Sequence, residues 1–378
     1  MFGDKIVLVG DHTKVVKDAR KMPEVETLHQ DSETGSKPSF FRGHHWACIS
    51  LLIKAKNKYF GAPMWSEIHR DSLGESRATR IVNAAGGIAK SCGCSAYLML
   101  DAFFAVGPVF LTASMYGGDL LVLTRAKKNV VAYLDPPPQP DPSKRGPKNK
   151  YGEKLKLMEL FDTLPDKFET AETLVYDKRE DVRYLILDLI WKPVKGKLRF
   201  ILVESSRGRI ILMTSDMAMD WQLAINLYCH RVTVETLFDS LKNLLGGMSY
   251  HFWSMYIKPV SRRPVKNKAQ KIVSTRPDKT ENTLAAIEKF VAVQMVVLGT
   301  LQLLACRFGG KIHSEARCWL RTPCGETPSV FVTKNALANT IRKKLLSFGK
   351  DWITQIIIGK QDAVEKSTEK YEYSDEAA

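Results

Sequence analysis

The 378-residue sequence predicts an α/β protein: a mixed sheet with flanking helices, interrupted by a β-rich insertion and followed by a C-terminal helical region. Three observations predict it. Short apolar runs recur at residues 6–11 (IVLVGD), 97–101 (YLMLD) and 120–125 (LLVLTR), each closing on a charged residue. Runs of that length, rich in branched side chains, suit strands covered on both faces. Stretches of helical spacing separate them, and strands alternating with helices argue for a layered sheet. Between residues 183 and 214 the pattern changes to strand-like segments joined by turns, the signature of a meander.

Taken in order, residues 6–11 predict the first strand, and a polar, basic loop follows it. Residues 45–53 (HWACISLLI) and 59–65 predict two strands around a turn at 54–58. Residues 76–90 place Ile81, Ala84, Ala85 and Ile88 at core spacing for a helix. The run at 97–101 predicts a strand, 107–116 a short helix and 120–125 a further strand. Residues 135–150 hold six prolines among Lys and Arg and predict an exposed, extended loop. A short polar helix at 151–161 precedes strands at 183–192, 198–203 and 209–214. Residues 215–247 predict one long helix, opened by Ser215 and Asp216 as capping types and stopped by Gly246-Gly247. A basic, proline-bearing loop spans 258–279, a long helix 281–307, and one or two helices 333–358. The acidic tail, 362–378, has too little apolar content to order itself.

This gives a first sheet segment over 1–128, the insertion over 129–214, the long helix completing the core over 215–257, a basic loop and helical region over 258–361, and the tail. Lys and Arg number 56 against 41 Asp and Glu, a net charge of +15. Such an excess favours a polyanionic partner, nucleic acid or an anionic membrane. The seven cysteines show no CxxC or zinc-finger spacing and read as free thiols of a reducing compartment. The opening apolar run is too short for a secretory signal. The most apolar stretch, 290–306, contains Gln294 and Gln302 and is shorter than the ~20 residues a span needs, so it reads as a buried core helix. A cytoplasmic protein without a membrane partner follows.

Within 215–247, Tyr228, Arg231, Glu235 and Lys242 stand at relative positions 0, 3, 7 and 14. At about 100° per residue they share one narrow stripe along roughly 21 Å of helix. Val234, Leu237, Leu241 and Leu244 fall opposite and would be buried. By spacing alone such a stripe also describes a solvated helix face with a few ion pairs. Asp11 and Asp101 end apolar runs, where open α/β sheets gather their ligands. On neighbouring strands, about 4.8 Å apart, two such carboxylates repel unless a cation neutralises them, and hard oxygen donors select Mg²⁺ or Mn²⁺.

Tyr-x2-Arg-x3-Glu-x6-Lys resembles the YREK motif of DDE transposases of the insertion-sequence-four family. All four letters match at the family's spacing, while Val232 stands where a Trp commonly follows the Arg. Asp11 in VGDHT and Asp101 in MLDAFFA resemble the family's first and second Asp motifs. The resemblance implies an RNase H-like sheet, with the catalytic Glu on a later helix, and two Mg²⁺ ions (Mn²⁺ substituting) held by Asp11, Asp101 and Glu235. It implies that Tyr228, Arg231 and Lys242 grip a transposon end, with Arg125 and Lys127 beside the site. A homodimer in a synaptic complex with transposon ends and target DNA, in the bacterial cytoplasm at the nucleoid, is implied too.

Competing acids have other readings. Asp188 (YLILD) continues into Leu189-Ile190-Trp191 and suits a mid-strand position; Asp216 suits a helix cap; Asp239 is a solvated acid. His44 and His45 lack a spaced metal partner. Family members usually carry a helical DNA-binding region before the first Asp, which this sequence does not show. The alternative function is therefore a truncated, catalytically silent remnant that still binds DNA. A divalent-metal nuclease on the same fold is a third.

Overall fold

The computed structural model describes residues 4–30, 39–56, 58–70, 74–138, 149–262, 272–316 and 325–347. The chain runs β1 (Ile6–Val16), β2 (Glu26–His29), β3 (Phe40–Ala55), β4 (Lys58–Ile68), α1 (Arg77–Cys92), β5 (Ala96–Leu100), α2 (Gly107–Ser114) and β6 (Leu120–Arg125). It continues β7 (Val131–Tyr133), β8 (Lys154–Lys156), α3 (Leu160–Thr163), β9 (Glu169–Val175), β10 (Lys178–Trp191), β11 (Gly196–Ser205) and β12 (Gly208–Thr214). Five helices follow: α4 (Trp221–Cys229), α5 (Thr233–Asp239), α6 (Pro277–Arg307), α7 (Gly309–Glu315) and α8 (Val330–Ser347).

All twelve strands share one sheet, in the order β2-β3-β1-β5-β6-β12-β11-β10-β7-β8, with β4 on β3 and β9 on β10. Its first part is RNase H-like: β1 antiparallel to β3, then β5 and β6 parallel to β1. β5 is buried at every position, as a parallel strand covered on both faces must be. Leu8, Leu98, Leu100 and Val122 meet Ile81, Val82 and Ala85 of α1 on one face. Alternate residues, Val9 and Met99 among them, point to the other face, where α5 packs against β1.

Local sequence sets the element ends. Ser76 caps α1 by accepting from the Thr79 amide, and Gly93, at φ 62°, closes it in the left-handed conformation. Gly10 has a packing reason. A Cβ there would lie 2.9 Å from Ile81 Cδ1 and 3.0 Å from a Leu100 methyl, so its bare backbone lets α1 close on β1 beside Asp11.

The β-rich insertion does not stand apart. β12 pairs antiparallel with β6 from Leu212↔Arg125 to Thr214↔Leu123, and β11 and β10 continue outward. The meander therefore covers the edge of β6 that would otherwise expose unpaired backbone groups. β2, β7, β8 and β9 were not read from the sequence; three of them have four residues or fewer and no run long enough to show alternation. The polar helix expected at 151–161 is β8 followed by a turn and the four-residue α3.

The helix expected over 215–247 is broken. Asp220, not Asp216, is its N-cap, accepting from the Gln222 and Leu223 amides. α4 passes through a 3₁₀ turn at His230–Val232 into α5 and ends in a π-helical stretch at Ser240–Leu244. Val234, Leu237 and Leu241 are buried as expected, and Leu244 is half-buried.

The chain divides into two compact units, one of residues Met1–Lys54 and Lys58–Gly299, the other of Ala55–Asn57 and Thr300–Ala378. In the first unit α6 buries Leu284, Ile287, Val291, Met295 and Leu298, and Arg70 reaches from the end of β4 to its Glu288 at 3.1 Å. The stretch at 290–306 is not wholly buried: Val293 is 59% and Leu303 51% exposed. Among the described residues α6 is the one helix long and apolar enough to cross a membrane, and 33% of its most apolar window is buried. In the second unit Ile312, Ala316, Val332 and Ala336 form a small core. The tail at 362–378, residues 348–361 and Cys318 and Cys324 lie outside the described residues; Cys48, Cys92, Cys94, Cys229 and Cys306 are free thiols.

Candidate active site

The site forms where β1 outruns β5. Their parallel pairing ends at Val9↔Met99, and Asp11 and Asp101 stand two residues further along each chain. β1 continues, held on its other side by Asp11↔Cys48. The chain after β5 turns away instead: Asp101 caps a 3₁₀ turn over Ala102–Phe104, its Oδ1 accepting from the Phe103 amide at 2.9 Å. Thr124 pins the turn from β6 by donating to the Asp101 carbonyl at 2.6 Å. Two carboxylates are thereby held beside each other on the face that α5 covers.

Their electrostatics follow from that placement. Burial, then the charge of Asp101, push the Asp11 carboxyl up to about 6, against the opposing pull of its own backbone bond and of Arg231. Asp101 is raised as well, chiefly by burial. Asp11 Oδ1 accepts from the His12 amide at 2.7 Å. Its Oδ2 faces Arg231 Nη1 at 3.3 Å, and Arg231 Nη2 donates to Glu235 Oε1 at 2.5 Å. Arg231 thus stands between Asp11 and Glu235, on the 3₁₀ turn that aims it inward while Glu235 sits one turn on in α5.

Lys242 lies in the π-helical stretch and reaches β1: its Nζ donates to Thr13 Oγ1 at 2.5 Å and to the Lys14 carbonyl at 3.1 Å. π-helical turns often mark functional positions because they re-aim a side chain. Tyr228 is half-buried in α4; burial pushes its phenol up to about 12, and Arg231, Arg125 and Asp101 act on it. Arg125, at the end of β6, thus belongs to the same neighbourhood. Lys127 is exposed on the following turn, and among the described residues no hydrogen bond or ion pair joins its side chain to the site. Among the described residues no three His, Cys, Asp or Glu side chains converge as a ready metal cage; Glu235 meets Asp11 through Arg231.

The competing acids are placed elsewhere. Asp188 is a strand residue held by Arg199 through two bonds of 2.8 and 2.9 Å. Asp216 accepts from the Tyr97 hydroxyl at 2.7 Å and from the Ala218 amide at 2.9 Å, an Asx-turn role. Asp239 takes the Asn243 side-chain amide at 2.6 Å. His44 bonds Tyr250 Oη and the Pro23 carbonyl, a structural position.

One support was missed in the sequence. Lys17 is buried, and its Nζ donates to the Met248 and Tyr250 carbonyls at 2.7 and 2.9 Å, tying the segment after the π turn to β1. Its signal was available: Asp11, Thr13 and Val15 recur at period two on one face of β1, and Lys17 continues that spacing one residue past the strand's end.

No family model matches this chain, and no curated protein matches it. Solved structures similar to it at low identity include two nucleic-acid enzymes. One is a piggyBac transposase synaptic complex with hairpin DNA, at a TM-score of 0.36 and 11% identity, covering 90% of this chain. This chain spans about half of that one, 54% of its length. The other is the NurA nuclease from Sulfolobus solfataricus, at a TM-score of 0.24 and 9% identity, covering 61% of this chain and 73% of that one.

Proposed function

We propose that this chain is the catalytic core of a DNA transposase. It would hydrolyse a phosphodiester at a transposon end and join the freed 3′-hydroxyl to target DNA. The observation that supports this most is the juxtaposition of Asp11 and Asp101, each two residues past the last paired position of parallel strands β1 and β5, with Glu235 linked to Asp11 through Arg231. Two half-buried carboxylates, both with raised proton affinity, chiefly through burial and for Asp11 also through the charge of Asp101, are a hard oxygen set suited to a divalent cation. In this reading Asp11, Asp101 and Glu235 hold Mg²⁺, with Mn²⁺ able to substitute. Such ions, when bound, activate the attacking oxygen and stabilise the leaving oxygen.

The chain's own cations would hold the DNA. Arg231 releases Glu235 and offers its planar fork to a phosphate, for which guanidinium geometry is matched. Lys242, fixed on Thr13 and the Lys14 carbonyl, places a charge on β1 one pleat beyond Asp11. Tyr228 stays protonated at neutral pH and can donate to a phosphate oxygen. Arg125 closes the same side, and the +15 excess supplies non-specific attraction. Assembly of two copies on paired DNA ends, at the bacterial nucleoid, belongs to the same proposal.

The silent-remnant reading has one observation in its favour: the Arg231 guanidinium pairs with both Asp11 and Glu235 and so neutralises them without a metal ion. One experiment separates the two. Nicking of supercoiled plasmid is measured with Mg²⁺ for the wild type and for Asp101→Asn, beside duplex binding at low and moderate salt. The transposase reading expects nicking that Asp101→Asn abolishes while both proteins bind DNA. An inert wild type with salt-sensitive binding would establish the remnant.

A further inference from the structure

Beyond the carboxylates, the segment after the π turn reads HFWSMYI, residues 251–257, and it shows its apolar side chains outward. Trp253 is 64% exposed, Met255 67% and Phe252 39%, whereas Ser254 and Ile257 point inward. This display is built. Tyr250, just before it, is buried, its hydroxyl bonded by Trp46 Nε1 at 2.8 Å and His44 Nδ1 at 2.6 Å. Lys17, just past the end of β1, grips the Met248 and Tyr250 carbonyls. The Ser254 amide donates to the Lys21 carbonyl at 2.9 Å, and the Val260 amide to the Arg20 carbonyl at 3.0 Å. Phe252 rests its ring on Phe290 of α6, 5.9 Å between centroids. A segment anchored from behind at four points has no packing reason to present a tryptophan and a methionine to water.

The charge around it identifies the occupant. Arg20 and Lys21 are tied to the same segment through the Val260 and Ser254 amides, Lys258 follows it directly, and Arg20 and Arg262 line an open surface hollow of about 720 Å³ with Pro259, Val260 and Ser261. The acid here, Asp18, is paired with Arg262 at 3.6 Å. An apolar platform rimmed by cations fits an anion with flat apolar faces. In a duplex those faces are stacked inward; only an unpaired strand offers them together with its phosphates. We infer that Trp253, with Met255 and Phe252, is a stacking surface for unpaired nucleobases, and that Arg20, Lys21, Lys258 and Arg262 follow the phosphates of the same strand. Lys17 stands six residues beyond Asp11, so the surface begins roughly 20 Å along β1 from the carboxylates. The inference rests on the nucleic-acid part of the proposed function and not on cleavage.

Binding of fluorescein-labelled oligothymidylate and of a labelled duplex of equal length is measured by anisotropy in EDTA, so the cleavage reading can fail without touching the result. Trp253→Ala should weaken oligothymidylate binding about tenfold or more, while duplex binding changes about twofold at most. Trp253→Phe should keep most of the affinity, because it keeps a flat face. Trp253 is largely exposed, so an unchanged melting temperature is expected and shows that the fold is intact. Equal loss on both probes, no loss on either, or no wild-type binding to the oligothymidylate overturns the inference. So does a change in sedimentation of the free Trp253→Ala protein with unchanged DNA binding, which would make the patch a contact with a second copy.

Discussion

The two halves of the sheet handle charge in opposite ways. On the meander of β10, β11 and β12, acids and bases alternate and satisfy one another. Arg183 and Arg209 both meet Glu204 at 2.7 Å, Arg209 also meets Asp162, and Arg199 takes Asp188 in a two-bond fork. On the parallel half, Asp11 and Asp101 are half-buried beside each other, and the cation that pairs with Asp11 arrives from a different element, Arg231. A cross-strand pair of opposite charge explains itself as sheet stabilisation. Two like charges held together by strand geometry cost stability, and such sites are where function concentrates. The difference teaches which acids to trust: not those that follow an apolar run, since Asp188 does so too, but those whose neighbours fail to neutralise them locally.

Mutation should widen that contrast most in the chemistry. Asp11→Asn and Glu235→Gln remove charge from the like-charged cluster, and Mg²⁺-dependent plasmid nicking should fall on the order of a thousandfold or more. Asp188→Asn removes an equally conspicuous acid, yet nicking should stay within about twofold and stability within about 1 kcal/mol, as for a partly exposed ion pair. A dead Asp188→Asn protein beside an active Asp11→Asn protein would reverse the assignment of the two halves.

The next effect is one of pH. Asp11 rises from 3.8 to about 6 on folding, so the native state binds its proton more tightly than the unfolded chain does. Its contribution to stability is therefore fully present below about pH 4 and is lost as pH rises through 6, a change of about 2–3 kcal/mol. Asp101 is raised too and acts with the same sign. Metal-free Asp11→Asn should gain on the wild type by about that amount between pH 4 and pH 8 in urea denaturation. A constant difference between the two proteins across that range would show that neither burial nor the charge of Asp101 raises the Asp11 carboxyl. Where Mn²⁺ binds, its affinity should rise through pH 6 as the competing proton leaves.

The parallel half was legible because burial on both faces leaves a near-continuous apolar run, and a polar residue at its end stands out. IVLVGD and YLMLD declare their strands and their acids together. The short strands β2, β7 and β8 carry no such pattern; their pairing is decided by distant partners, as Glu26↔Gly43 and Val131↔Lys156 show. The stripe of Tyr228, Arg231, Glu235 and Lys242 was legible as residue types at a spacing. The breaks within it were not, because 3₁₀ and π turns leave the sequence period almost unchanged while altering the direction of each side chain. Nor does the sequence show that Arg231 stands between Asp11 and Glu235, a contact across 220 positions for its Asp11 arm. The exposed Trp253 reads in the sequence like any other aromatic beside a turn.

The smallest effect tests the start of α4, where the sequence put the cap four residues early. Asp220 accepts from two amides, Gln222 at 2.9 Å and Leu223 at 3.1 Å. Asp220→Ala should cost about 1 kcal/mol in urea denaturation, the usual loss for a cap. Asp216 makes a different pair of contacts. In Asp216→Asn the side-chain oxygen can keep the Ala218 amide, and the Tyr97 hydroxyl can turn to accept from the new side-chain amide, since a phenol both donates and accepts. Its cost should stay under about 0.5 kcal/mol, the range of substitutions that leave their partners satisfied. Asp216 takes no part in the like-charged cluster, so plasmid nicking should also be unchanged. If Asp216→Asn instead abolished nicking at full stability, the second acid of the site would be the one bonded to Tyr97, and the chemistry would move from the end of β5 to the end of β12.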